Sequence, residues 1–118
     1  MKTFFYLKSC STCKRILDEL NLPENVVLQN IKTEAITENQ LEQMKDLAGS
    51  YEALFSKRAT LYKERDLKNK TLTEADFKAL ILEHYTFLSR PVLVIDTNIF
   101  VGNSKKSVAA AKTFLNEH

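Results

Sequence analysis

The order of elements in the first quarter of the chain constrains the fold more than any other feature. Thr3 to Leu7 is a compact, β-prone run and predicts a buried strand. Lys8-Ser9-Cys10-Ser11-Thr12 is a polar loop, and a helix starts near Ser11 or Thr12, with Ile16, Leu17 and Leu20 at helical spacing. Asn21-Leu22-Pro23-Glu24-Asn25 closes that helix, and Val26 to Ile31 predicts a second strand. A β-loop-α-β opening of about 30 residues has the size of a βαβ unit.

The middle of the chain changes to helical periodicity. Thr37 followed by Gln40 is a capping box, and Leu41, Met44, Leu47 and Ala48 mark one face as far as Gly49. Tyr51, Leu54 and Phe55 continue the apolar surface. Thr73 with Asp76 marks a second helix start, ahead of Phe77, Leu80 and Ile81. The pattern then returns to β: Pro91 leads into Val92-Leu93-Val94-Ile95, Asp96-Thr97-Asn98 reads as a turn, and Ile99 to Gly102 as the returning strand. Ser104 caps a last helix carrying Val108, Ala111 and Leu115 on one face. The expected architecture is α/β of thioredoxin type: a four-stranded mixed sheet with helices packed on it. With 118 residues, one domain is expected over 1–118, with a helical insertion at about 35–88.

Composition narrows the function classes. A hydrophobic share of 44% with 27% charged residues argues for a folded, soluble chain. A net charge of +2 is too small to indicate nucleic-acid binding by bulk electrostatics. No apolar run approaches the roughly 20 residues of a membrane helix, and the N-terminal stretch is too short for a signal peptide, so the cytoplasm is the expected compartment. Two glycines cannot build a phosphate-binding loop or a dinucleotide fingerprint. Two cysteines, Cys10 and Cys13, are no disulfide framework, and with only His84 and His118 besides, a zinc site is not expected. No bound cofactor is expected.

Cys10-Ser11-Thr12-Cys13 lies where the first strand gives way to a helix. Amide N–H groups at a helix start and the positive end of its dipole favour a thiolate over a thiol. Lys8, Lys14 and Arg15 add positive charge in sequence. A second cysteine three residues on can close a disulfide, so Cys10 is expected as the exposed nucleophile and Cys13, one turn into the helix, as the resolving thiol. Two blander alternatives are a zinc half-site and inert packing of small buried thiols. Arg90-Pro91 is the second feature of note. A proline before a strand is compatible with a cis bond beside the cysteine loop, and Arg90 could aim a guanidinium at a thiolate or oxyanion, or stand as a plain surface arginine. Arg58, in Ser56-Lys57-Arg58-Ala59-Thr60, has a weaker claim of the same kind. His84, on the face of Phe77, Leu80 and Ile81, reads as a helix-end cation or a core-edge histidine. Tyr51, Tyr62 and Phe87 read as core or rim aromatics.

Taken together, Tyr6-Leu7-Lys8-Ser9-Cys10-Ser11-Thr12-Cys13-Lys14, Ser56-Lys57-Arg58-Ala59-Thr60, Ser89-Arg90-Pro91-Val92-Leu93-Val94 and Val101-Gly102 resemble the ArsC family over essentially the whole chain. That family comprises glutaredoxin-coupled arsenate reductases, Spx-type transcription regulators and YffB-like proteins. The resemblance implies a thioredoxin-like fold with a helical insertion and a catalytic cysteine at Cys10. In the reductases that thiolate attacks arsenate, glutathione resolves the adduct and glutaredoxin regenerates the enzyme. The resemblance also implies an active-site role for Arg90 and a basic insertion position at Arg58. Ser11, Thr12, Lys14, Arg58 and Pro91 are the candidates for holding the substrate, a small oxyanion or a disulfide. Glutathione with glutaredoxin, or thioredoxin, is the implied reductant. The sequence departs from the arsenate reductases at three places: Cys13 stands where serine is usual, Lys14 where arginine is frequent, and Gly102-Asn103-Ser104, with Lys105 and Lys106 close by, where a third arginine is expected. Cys-x-x-Cys is the pattern of Spx-type members, which implies as the alternative a redox-sensing regulator that binds the RNA polymerase α-subunit.

Overall fold

The computed structural model describes residues 1–117; His118, not expected above to bind metal, lies outside the described residues. The chain divides into two compact units, one made of Met1–Glu34 with the residues from Arg90 on, the other of Ala35–Ser89.

The first unit is a four-stranded mixed sheet with two helices. In chain order it contains β1 (Lys2–Tyr6), α1 (Ser11–Leu20), β2 (Val27–Asn30), β3 (Val92–Ile95), β4 (Asn98–Val101) and the C-terminal helix α5 (Lys105–Glu117). Across the sheet the order is β2-β1-β3-β4, with β1 parallel to β2 and β3 antiparallel to both β1 and β4. The register places Phe4 opposite Leu28 on one side and Leu93 on the other, with Leu93 in turn opposite Phe100. Alternation then puts Phe4, Leu93 and Phe100 on one face. Ile16 and Leu20 from α1 and Ala111 from α5 bury themselves in the same cluster, with Val108 and Leu115 packed at its edge. Phe5, Val92 and Val94, of the opposite parity, are fully buried as well. That is why β1 and β3 read as continuous apolar runs instead of alternating ones.

Local chemistry sets the ends of these elements. Asn21 stops α1 in the left-handed region at φ 50°, which asparagine tolerates. The β3–β4 turn is tighter than the sequence indicates. Ile95 pairs with Asn98, so the loop is Asp96-Thr97 alone and Asn98 already belongs to the strand. Asp96 has φ 54°, the sign a two-residue hairpin turn requires at its first position.

The second unit holds α2 (Glu38–Ala48), α3 (Thr60–Glu64) and α4 (Glu74–Glu83), with single 3₁₀ turns between them at Glu52–Leu54 and Leu67–Asn69 and a third, Tyr85–Phe87, after α4. Both capping boxes form: the Thr37 hydroxyl accepts the Gln40 N–H at 3.0 Å and the Thr73 hydroxyl that of Asp76 at 3.3 Å, each reciprocated by the partner side chain. Phe55 stacks on Phe87 at 5.3 Å and meets Phe77 at 4.8 Å. Tyr51 is tied by its N–H to the Glu74 carboxylate at 2.7 Å and faces the ammonium groups of Lys45 and Lys78, so it is a rim aromatic of this unit. His84 caps the end of α4, and its Nδ1 accepts the Thr86 N–H at 3.0 Å. No described helix is long and apolar enough to cross a membrane.

Candidate functional site

β1 delivers the chain to the site. After Tyr6 the backbone turns so that the Cys10 N–H donates to the Leu7 carbonyl at 2.9 Å, and the Cys10 carbonyl accepts the Lys14 N–H at 3.1 Å, the first bond of α1. Cys10 is therefore the N-cap residue of α1, with extended φ/ψ of −90° and 117°. Serine, threonine, aspartate or asparagine usually fills this place and turns an oxygen onto the free amides. No such side-chain capping bond is made at Cys10, which leaves the first-turn amides to act on sulfur. Partial burial works against charging Cys10. The amide of Cys13, the Cys13 thiol, the amide of Thr12 and the positive charge of Arg90 outweigh it, and the Cys10 pKa lies below that of an ordinary cysteine.

Cys13 is the opposite case. It is 1% exposed, against a half-buried Cys10. Burial pushes its thiol up to about 11, opposed by the Leu7 amide and reinforced by the neighbouring Cys10 charge and thiol hydrogen bond. The environment of Cys10 thus favours the thiolate, and that of Cys13 the protonated thiol.

Both cysteines are free thiols. The Arg90–Pro91 peptide is cis, Pro91 is buried and Arg90 half-buried. The Gly102 N–H donates to the Pro91 carbonyl at 2.8 Å, and Gly102 has φ 86°, a conformation a side chain would disfavour. The end of β4 is thereby fastened to the residue that follows Arg90.

Of the residues selected from sequence, the first unit brings together Cys10, Ser11, Thr12, Cys13, Lys14, Arg90 and Pro91. Ser11 and Lys14 are exposed and Thr12 half-buried, all in the first turn of α1. Arg58 belongs to the second unit, exposed in the bend before α3, beside Lys57, which pairs with Glu52 at 3.2 Å. Arg90, eighty positions away in the chain, acts on Cys10 through its positive charge, which sequence proximity does not reveal. The Leu7 amide is a contributor that sequence reasoning missed, since no side-chain identity encodes it. Where a third arginine was expected, Ser104 accepts the Ser107 N–H at 3.1 Å and caps α5.

The sheet order, the cysteine pair at a strand-to-helix junction and the cis-proline together define a thioredoxin-like α/β fold. The chain belongs to the ArsC family, whose model matches residues 5–111. Among solved structures, an ArsC-family-related protein from Bacteroides fragilis is 26% identical, with a TM-score of 0.76 over 93% of this chain and 96% of that one. A protein from Staphylococcus aureus COL is 27% identical, with a TM-score of 0.72 over 93% and 97%. An arsenate reductase from Vibrio cholerae shares the fold at 19% identity, with a TM-score of 0.74 over 93% and 96%. Comparison with curated proteins finds none that matches.

Proposed function

We propose that the chain is a thiol-dependent oxidoreductase of the glutathione- and glutaredoxin-coupled arsenate reductase type, working in the cytoplasm with Cys10 as nucleophile and Cys13 as resolving thiol. The observation that carries this is the opposed ionisation of the two thiols at one helix start, Cys10 lowered and Cys13 raised to about 11. On a disulfide substrate, the Cys10 thiolate attacks one sulfur, a Cys10–substrate disulfide forms, and the other sulfur leaves as a thiolate. Cys13 gives its proton to that leaving thiolate and attacks the Cys10 sulfur. The second substrate sulfur is released, and the chain is left with a Cys10–Cys13 disulfide, two electrons having passed to the substrate. Two glutathione thiols, directly or through glutaredoxin, return the chain to the dithiol and end as glutathione disulfide. With arsenate, Cys10 would instead form a sulfur–arsenic bond as an oxygen leaves as water. A second thiol, from Cys13 or glutathione, attacking the Cys10 sulfur would pass the electron pair to arsenic, releasing arsenite and leaving Cys10 in a disulfide. Arg90 stabilises the thiolate, Pro91 shapes the site, and Ser11, Thr12 and Lys14 hold the oxyanion or disulfide; the family resemblance adds Arg58 as a further substrate-binding candidate.

The test is reduction of arsenate and of glutathione mixed disulfides in the presence of glutathione and glutaredoxin, for wild type and Cys10→Ser. Turnover lost in Cys10→Ser supports the proposal, and no Cys10-dependent reduction of either substrate class would sink it. Cys13, as the second half of a Cys-x-x-Cys, favours one other role, a regulator whose Cys10–Cys13 disulfide controls binding to the RNA polymerase α-subunit. Capture of that subunit in only one redox state would support this role, and capture in neither state would remove it.

A further inference from the structure

Strand direction sorts the charges of the first unit. β1 and β2 end where α1 begins, β3 starts there, β4 finishes there, and α5 starts there. Lys8, Lys14, Arg15, Lys32, Arg90, Lys105 and Lys106 therefore stand at the Cys10 end of the sheet, with Glu34 the acid among them. Asp18, Glu19, Glu24, Asp96 and Glu117 gather at the opposite end, with Lys2 and Lys112. All seven cationic residues but Arg90 are exposed.

Helix electrostatics alone does not account for this arrangement. In the second unit α2 and α4 carry Glu38, and Glu74 with Asp76, in their first turns, as the macrodipole favours. In the first unit neither α1 nor α5 has an acid in its first turn, and α5 opens on Lys105-Lys106, where its own positive end repels them. Departures from a local rule of this kind concentrate at functional surfaces. Lys32 follows the edge strand β2, and Lys105 follows the opposite edge strand β4. At roughly 4.8 Å per strand, the cations reach across about 14 Å of sheet, several times the width of a single oxyanion.

We infer that this end of the unit docks an acidic protein surface whose cysteine, flanked by carboxylates, exchanges with Cys10. The inference rests on the thiol chemistry proposed above and adds the class of its macromolecular partner. A reactive thiolate within the cationic arc calls for a sulfur-bearing partner, which phosphates of a nucleic acid do not provide. Charge steering across such a surface acts mainly on the rate of encounter, so its signature is a rate that depends on partner charge and on salt.

The test uses stopped-flow exchange of the reduced chain with three peptide mixed disulfides, identical except that the cysteine is flanked by glutamates, serines or lysines. In low salt the acidic peptide should react about tenfold faster than the basic one. That ratio should fall towards one near 0.5 M salt, where screening acts within about 4 Å. The double variant Lys105→Glu/Lys106→Glu should shrink or reverse the ranking. Equal rates for all three peptides, or a ranking indifferent to salt and to the double variant, would overturn the inference while leaving the thiol chemistry intact. No reaction with any peptide would overturn the thiol chemistry, and this inference with it. Tight binding of a duplex oligonucleotide, lost in the double variant, would overturn it in favour of a nucleic acid.

Discussion

Raising the pH from 7 to 11 under reducing conditions should destabilise the protein through one buried atom, the Cys13 sulfur. In the folded chain Cys13 keeps its proton up to about pH 11, whereas an unfolded cysteine releases it near ~8.5. Between those values the unfolded state binds fewer protons than the folded one, so stability falls as pH rises. The separation is roughly 2.5 pH units, and at about 1.4 kcal/mol per unit the loss is on the order of 3 kcal/mol. Cys10 does not confuse the window. Its folded pKa is lowered, so the stability it contributes is fully present above the unfolded value and is lost only as pH falls through the folded one. The assay is urea denaturation at half-unit pH steps for wild type and Cys13→Ala, with the pH 7 difference subtracted. Residues other than the two cysteines are common to both proteins, so the subtraction removes their contribution. Parallel curves above pH 8.5, or a difference below about 1 kcal/mol at pH 11, would refute the assignment of a buried, protonated Cys13.

Two further outcomes follow from geometry on either side of that thiol. Arg90→Gln removes the cation acting on Cys10, so the pH profile of Cys10 alkylation by iodoacetamide should move upward; an unmoved profile would mean the amides of Thr12 and Cys13 suffice. In the second unit, Thr37→Ala deletes the hydroxyl that accepts the Gln40 N–H at 3.0 Å, which should cost about 1 kcal/mol. For a chain of this size that corresponds to a melting temperature lower by roughly 4 °C, and an unchanged melting point would remove the capping box from the reasoning.

Features encoded within a few residues were legible in the sequence. Cys10-x-x-Cys13 ahead of a helix, Thr37 with Gln40, and Thr73 with Asp76 each appear where the spacing puts them, because a helix start is decided by its own first turn. The sheet was legible as four strands but not as an order, since pairing of β1 with β3 joins residues ninety positions apart. The 3₁₀ turns and the five-residue α3 are too short to show a period, and the Asp96-Thr97 turn was read one residue too long. In the site, the contribution of Arg90 to Cys10 was not visible from sequence proximity. Lys14 and Arg15 are close to Cys10 in the chain, yet their helical positions are exposed, while Arg90 is brought in by the antiparallel pairing of β3 with β1. α4 stops at Glu83, so His84 is its extended cap residue and not part of the helical face, and its bond to the Thr86 amide is not revealed by spacing.

The absence of an oxygen at the N-cap of α1 has a consequence for how reduction and folding are linked. A charged sulfur is a far better acceptor than a thiol or a disulfide, so the free amides of Thr12 and Cys13 are best satisfied only while Cys10 is reduced and ionised. Any event that ties up that sulfur in a covalent bond also uncaps the helix. Hydrogen exchange at those two amides should therefore quicken when Cys10 is oxidised or alkylated. By the same cycle, whatever steadies the start of α1 in the reduced chain raises the tendency of the disulfide form to accept electrons. The redox poise of the pair is set in part by how firmly one turn of helix is wound.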